Sequence, residues 1–221
     1  MLESAARLQL VVPDAVLVGG SAAAAHAAHR ISFDHDHVLA LRERYEAVLE
    51  AVEATDGWAT SVRASKPPMT IMGRLGGIEA GLRQLRRTVP LEIQILDLPS
   101  GQQVRIPTLD EALRVKAYLI VQRNQVRDYL DVAALADRAG PPHAAAVLGA
   151  IDHFYVDRSG DDESVVTALV PRLAAPNPRD HRTLDDLPRY KGLLPRWQDW
   201  NETRQVCRDL AQLMLQEAAD V

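Results

Sequence analysis

Near the N-terminus, the run Gly19-Gly20-Ser21 is followed shortly by Asp34-His35-Asp36. A glycine–serine turn that opens a helix can offer backbone N–H groups, a hydroxyl and a helix N-terminus to phosphate oxygens. On an extended strand, residues two apart point the same way, so Asp34 and Asp36 would share a face with Cα atoms roughly 6–7 Å apart. Carboxylates at that separation can converge on divalent cations. Two metals about 3.5–4 Å apart can activate an attacking oxygen and stabilise leaving pyrophosphate. Setting two carboxylates side by side is costly unless a cation compensates. An alternating acid pair alone also occurs on many exposed strands. Coupled to the Gly-Gly-Ser turn, it points to metal-dependent nucleotide transfer.

Other residues could join that chemistry. Glu92, in Leu91-Glu92-Ile93-Gln94-Ile95, faces opposite its apolar neighbours. On a strand adjacent to the aspartates it would supply a third carboxylate or a general base; alternation alone makes it a solvent-facing strand residue. Among 25 basic residues only Lys66, Lys116 and Lys191 are lysines. Lys116 lies in a strongly helical stretch and is the best candidate for a site that wants a compact ammonium. Asp128 and Asp131 share a helix face and repel unless a cation such as Lys116 lies between them. Arg127 and Asp131 have the spacing of a routine surface ion pair. Arg63, Lys66, Arg74, Arg83, Arg86 and Arg87 stand against a single acid, Glu79, and form either a solvated surface or a track for a phosphate backbone.

The composition bounds the class. The chain has 221 residues, 47% of them hydrophobic, and a net charge of -5. That is ordinary for a globular protein with a substantial core. No apolar run reaches the ~18 residues of a membrane span, and no secretory pattern opens the chain, so a cytoplasmic protein without membrane contact is expected. Cys207 is the sole cysteine, which excludes an intrachain disulfide and a cysteine zinc cluster. The acidic runs Asp161-Asp162-Glu163 and Asp185-Asp186 read as solvated loops.

These residues need elements to position them. An apolar, strand-like run over 11–18 ends in the glycine turn, and Ser21 can cap an alanine-rich helix over 22–29. A strand over 31–39 carries the acids. An amphipathic helix follows over 42–53, with Tyr45, Val48, Leu49 and Val52 at helical spacing. Segments 58–64 and 69–75 can form a hairpin, and 90–98 a further strand. Beyond Pro107 the pattern turns helical, over 109–122, 126–138, 144–155, 165–174 and 201–219. Thr108 and Glu111 form a capping box at the first of these. The expectation is an α/β (α+β) protein with a mixed sheet, its N-terminal catalytic module over 1–107 and a helical module over 108–221.

Gly19-Gly20-Ser21, His29-Arg30-x-Ser32-x-Asp34-x-Asp36, Lys116 and Arg127-Asp128-x-x-Asp131 together resemble the AbiEii/AbiGii toxin family. That family includes the MenT nucleotidyltransferase toxins and lies within the DNA polymerase β superfamily. The resemblance covers about Val16 to Leu135. It implies a nucleotidyltransferase fold, with transfer of NMP from an NTP to the 3′ end of tRNA. It also implies pyrophosphate release and restraint by a cognate antitoxin. Carried over, Gly20 and Ser21 contact the triphosphate and Asp34 and Asp36 hold Mg²⁺. Lys116 neutralises the triphosphate, Asp128 orients Lys116 or assists the acceptor, and the helical module completes the active site. Glu92 occupies the place of the superfamily's third carboxylate. His35 and His37 depart from the usual apolar neighbours of the aspartates. They are expected to face packed helices, with metal ligation as the alternative, and Arg30 is expected to brace an aspartate. Two other readings stay open: transfer to a small molecule or a protein hydroxyl, and a non-catalytic relative that only binds a partner.

Overall fold

In a computed structural model, residues 1–156 and 164–219 are described; the acidic run at 161–163 lies outside them. The chain forms two compact units. The first comprises residues 1–22, 32–86 and 91–108, and the second residues 23–31, 87–90 and 109–221.

The first unit is built on a mixed five-stranded sheet. Helix α1 (Leu2–Val11) precedes β1 (Val16–Val18), so the strand expected from residue 11 is helix at its start, and Pro13-Asp14 marks the break between them. The chain then enters α2 (Gly19–Ala27), β2 (Asp34–Leu39), α3 (Tyr45–Glu53), β3 (Trp58–Thr60), β4 (Thr70–Leu75) and β5 (Ile78–Gln84). The sheet order is β1-β2-β5-β4-β3. β2 runs antiparallel to β1 and parallel to β5, while β3, β4 and β5 form an antiparallel meander. β6 (Ile93–Asp97) and β7 (Gln103–Pro107) form a separate antiparallel ribbon.

Alternation along β2 decides what the sheet does. His35, His37 and Leu39 are buried, and Asp34, Asp36 and Val38 are half-buried on the opposite face. The buried face joins a core of Leu8, Val12, Leu41, Val48, Val52, Ile71, Leu75 and Leu82. α3 turns Tyr45, Val48 and Val52 into that core, as its helical spacing requires.

The second unit is helical: α4 (Leu109–Arg123), α5 (Val126–Ala139), α6 (Pro141–Gly149), α7 (Val165–Ala174) and α8 (Trp200–Ala219), with short 3-10 turns at Ile151–Phe154, His181–Arg189 and Pro195–Gln198. Its core includes Ile120, Leu130, Leu135, Leu148, Leu169, Leu173, Cys207 and Leu210. α5 is almost wholly buried and carries two acids, Asp128 and Asp131, inside that core. Both must therefore be matched by cations.

Candidate active site

The glycine turn and the aspartates meet through strand pairing. Val18, the last residue of β1, is paired with Asp36. The chain leaves β1 at Gly19 with φ +73°, a conformation that favours glycine. A Cβ built there would lie 3.8 Å from Asp36 Cβ and 3.9 Å from its Oδ2. The turn therefore runs against the Asp36 carboxylate. α2 begins at Gly19, not after Ser21, and the Ser21 hydroxyl donates to the Asp34 carbonyl. With only 1% of its surface exposed, Ser21 ties the turn to the start of β2. The backbone N–H groups of the first turn of α2 have no acceptor within the helix, which leaves them for an anion. Ser32 Oγ donates to Asp34 Oδ1 at 3.0 Å and orients that carboxylate.

Asp36 is fixed from the other flank by β5. Asp36 pairs with Gly81, and Met72 pairs with Gly81 from β4. A Cβ at Gly81 would collide with Asp36 Oδ1 and lie 2.9 Å from Met72 Sδ. The missing side chain lets the carboxylate rest on the sheet. Two residues further along β5, Arg83 donates from Nε to Asp36 Oδ1 at 3.1 Å. Asp36 thus has Oδ1 held between Gly81 and Arg83, with Oδ2 towards the Gly19 turn. Neither Gly81 nor Arg83 was singled out from the sequence for this role. The available signal was glycine inside a strand pattern, which marks a close approach.

The donor set fits a magnesium ion accompanied by phosphates. Among the described residues no three His, Cys, Asp or Glu side chains group to hold a metal. Mg²⁺ is commonly held by one or two carboxylates and completes its shell with water and phosphate oxygens. Asp34 and Asp36 provide that minimum, and the guanidinium on Asp36 shows that this carboxylate already draws a cation. The histidines lie on the other face. His35 Nε2 is 3.0 Å from Ser4 Oγ of α1, and the His35 and His37 rings meet edge to face at 5.2 Å. Burial drives His35 down to about 4, against the pull of Asp36, and His37 down to about 3, so both are neutral at pH 7.

Within the second unit, Lys116 Nζ lies 2.6 Å from Asp131 Oδ2. Arg30 grips the same carboxylate through two bonds of 2.8 and 3.0 Å, and His29 Nε2 lies 2.7 Å away. These side chains are all at most 3% exposed. Arg30 braces an aspartate as its chemistry suggested, and that aspartate is Asp131. Burial alone would raise the Asp131 carboxyl, but Lys116, Arg30 and His29 hold it well below the usual carboxylate range. Burial pulls the Lys116 ammonium down from its ordinary value, with Asp131 and Asp128 opposing. Contrary to the expectation from sequence, Asp128 is not the carboxylate in contact with Lys116. Asp128 accepts two bonds from Arg123, at 2.8 and 2.6 Å, and Asp131 is the residue in contact with Lys116. The surface pair of Arg127 with Asp131 is likewise excluded by the burial of Asp131.

Two further expectations change. Glu92 does not lie on a strand next to the aspartates, because the neighbours of β2 are β1 and β5. It is exposed just before β6, and its carbonyl accepts from Thr108 N–H at 2.9 Å. Arg87 leaves the basic surface set. It is buried, paired with Glu111 at 2.6 Å, and its guanidinium carbon lies 5.2 Å from the centre of the Tyr155 ring. Arg63, Lys66, Arg74 and Arg86 remain exposed, Arg74 in a surface pair with Glu79.

A mixed sheet whose first strand ends in a glycine–serine turn, whose second carries alternating aspartates, and which is joined to a helical unit, defines the nucleotidyltransferase fold. The nucleotidyltransferase toxin MenT4 from Mycobacterium tuberculosis H37Rv has this fold at 18% identity and a TM-score of 0.61, over 97% of this chain and 82% of that one. A candidate nucleotidyltransferase from H. pylori matches at 16% identity and a TM-score of 0.55, over 99% and 94%. In sequence, the chain is 40% identical over 133 residues to the heme uptake protein MmpL11 of M. tuberculosis H37Rv. That alignment takes in 60% of this chain but only 13% of MmpL11, so the chain spans a small part of the curated relatives it matches. No protein-family model matches the sequence. No helix among the described residues is long and apolar enough to cross a membrane.

Proposed function

We propose that this chain is a nucleotidyltransferase toxin of the AbiEii/AbiGii type, transferring NMP from an NTP to the 3′ end of tRNA in the cytoplasm under the restraint of a cognate antitoxin. The observation that carries the reading is the Asp36 carboxylate lying against the Gly19 turn, with Asp34 on the same face. Asp34 and Asp36 hold the cation, and the N–H groups of Gly20 and Ser21 receive phosphate oxygens. Lys116, which the family pattern assigns to the triphosphate, is kept in place within the helical unit by Asp131; Asp128 steadies the same helix through Arg123. Bound Mg²⁺ supplies charge neutralisation for the leaving pyrophosphate. The acceptor hydroxyl attacks the α-phosphorus and gives up its proton to solvent, the bond to the bridging oxygen of the β-phosphate breaks, and pyrophosphate leaves. Glu92, exposed ahead of β6, is assigned no part in this step.

The second reading, transfer to a small molecule or protein hydroxyl, gains from the loss of Arg87 and the engagement of Arg83, which leave a sparser basic surface. The two are separated by the variant Arg63→Ser/Lys66→Ser/Arg74→Ser/Arg86→Ser, all exposed positions. With Mg²⁺, total tRNA and each α-³²P NTP, a tRNA enzyme loses labelling of tRNA by tenfold or more and grows more salt-sensitive in what remains. Label on a protein or small molecule instead of tRNA selects the other acceptor, and unchanged labelling of tRNA means that the basic segment does not hold the acceptor.

A further inference from the structure

Arginines bound to carboxylates are buried at some places in this protein and exposed at others, as at Arg44 and Arg74 on the surface. Arg30 and Arg87 are buried, with side chains 3% and 4% exposed, and each is fixed by several bonds. Arg83 differs: its side chain is 43% exposed, its partner Asp36 is 30% exposed, and a single Nε bond of 3.1 Å joins them. Its Nη2 lies 3.4 Å from Met72 Sδ, a weak acceptor. A half-exposed ion pair of this kind is worth little and comes apart readily. The geometry at Asp36 gives it a purpose. Oδ1 rests on Gly81 under the guanidinium while Oδ2 faces the Gly19 turn, so the positive charge sits on the carboxylate without filling the phosphate side.

Resting on the nucleotidyltransferase reading, we infer that Arg83 stands in for the divalent cation in the nucleotide-free protein and makes metal binding depend on the triphosphate. A guanidinium on Asp36 cancels much of the negative potential that a bare cation would meet. A cation arriving with a triphosphate brings excess negative charge, so the same guanidinium then attracts the complex. Asp36 exchanges one cation for another, and Arg83, on a flexible exposed stem, turns to the phosphate oxygens. It is a positioning residue that sets the order of binding.

The test is Mn²⁺ binding to the full chain, followed by electron paramagnetic resonance with and without α,β-nonhydrolysable NTP analogues. Wild type is expected to bind Mn²⁺ weakly alone and more tightly with an analogue. Arg83→Gln binds bare Mn²⁺ about tenfold or more tighter than wild type, and the analogue then adds little. Arg83→Lys, which keeps the charge, behaves as wild type. Thermal unfolding of each variant verifies the fold. If Asp36→Asn abolishes Mn²⁺ binding but Arg83→Gln binds the bare ion no tighter than wild type, the inference fails and the metal site stands. If Asp36→Asn leaves Mn²⁺ binding unchanged, the metal site and the inference fall together.

Discussion

At the residue scale, Gly81 and Asp131 carry opposite kinds of constraint. A methyl group at Gly81 meets the ends of two flexible side chains, Asp36 and Met72, which can swing aside. Gly81→Ala is therefore expected to cost about 1 kcal/mol or less in stability. It displaces the Asp36 carboxylate and reduces nucleotidyl transfer by an order of magnitude or more. Urea titration together with a transfer assay separates the two effects; full activity contradicts the placement of Asp36. Asp131 is the reverse case. Asp131→Ala leaves Lys116 and Arg30 buried without their counter-charge and is expected to cost about 3–5 kcal/mol in urea unfolding. The exposed pair of Asp14 with Arg44 makes the control, with Asp14→Ala costing under about 1 kcal/mol. That Asp34 and Asp36 share a face was legible because spacing alone puts them there. The assignment of Asp131 to Lys116, and Asp128 to Arg123, was not. Three residues separate the acids on one helix, and only packing decides which faces which cation.

At the element scale, β2 was the most legible part of the fold. Its period of two set the acids on one face and the histidines on the other. β5 was not legible: Gly81 and Arg83 interrupt its apolar pattern, although it is the parallel neighbour of β2. α1 was missed because Val11 and Val12, apolar like β1, read with that strand across the Pro13-Asp14 break. The histidine face of β2 has a pH signature. His35 and His37, held down to about 4 and about 3, stay neutral in the fold, while the unfolded chain takes up their protons below about 6.5. The unfolded state then binds more protons, so stability is full above pH 6.5 and declines as pH falls towards 4 and then 3. Thermal midpoints measured in EDTA across that range should drop, and His37→Leu should flatten the slope. A slope unchanged in His37→Leu contradicts the burial of a neutral imidazole there.

At the scale of the whole molecule, the α/β class and the helical C-terminal region were readable from where hydrophobic periodicity changes, near Pro107, and the mixed sheet came with the nucleotidyltransferase-fold resemblance. What the sequence could not show is which charges are buried: Arg87 looked like surface and lies inside, paired with Glu111. Long-range pairing decides that, and local pattern does not encode it. The proposed function needs Asp34 and Asp36 to hold Mg²⁺ beside a turn that receives phosphate, and a single measurement weighs that union most directly. Purified wild type and Asp36→Ala are incubated with Mg²⁺, total tRNA and each α-³²P NTP, and all acceptors are resolved. The expected result is label on tRNA with wild type alone, while Asp36→Ala keeps the wild-type unfolding transition. Equal labelling by Asp36→Ala, or no label on any acceptor with wild type, contradicts it.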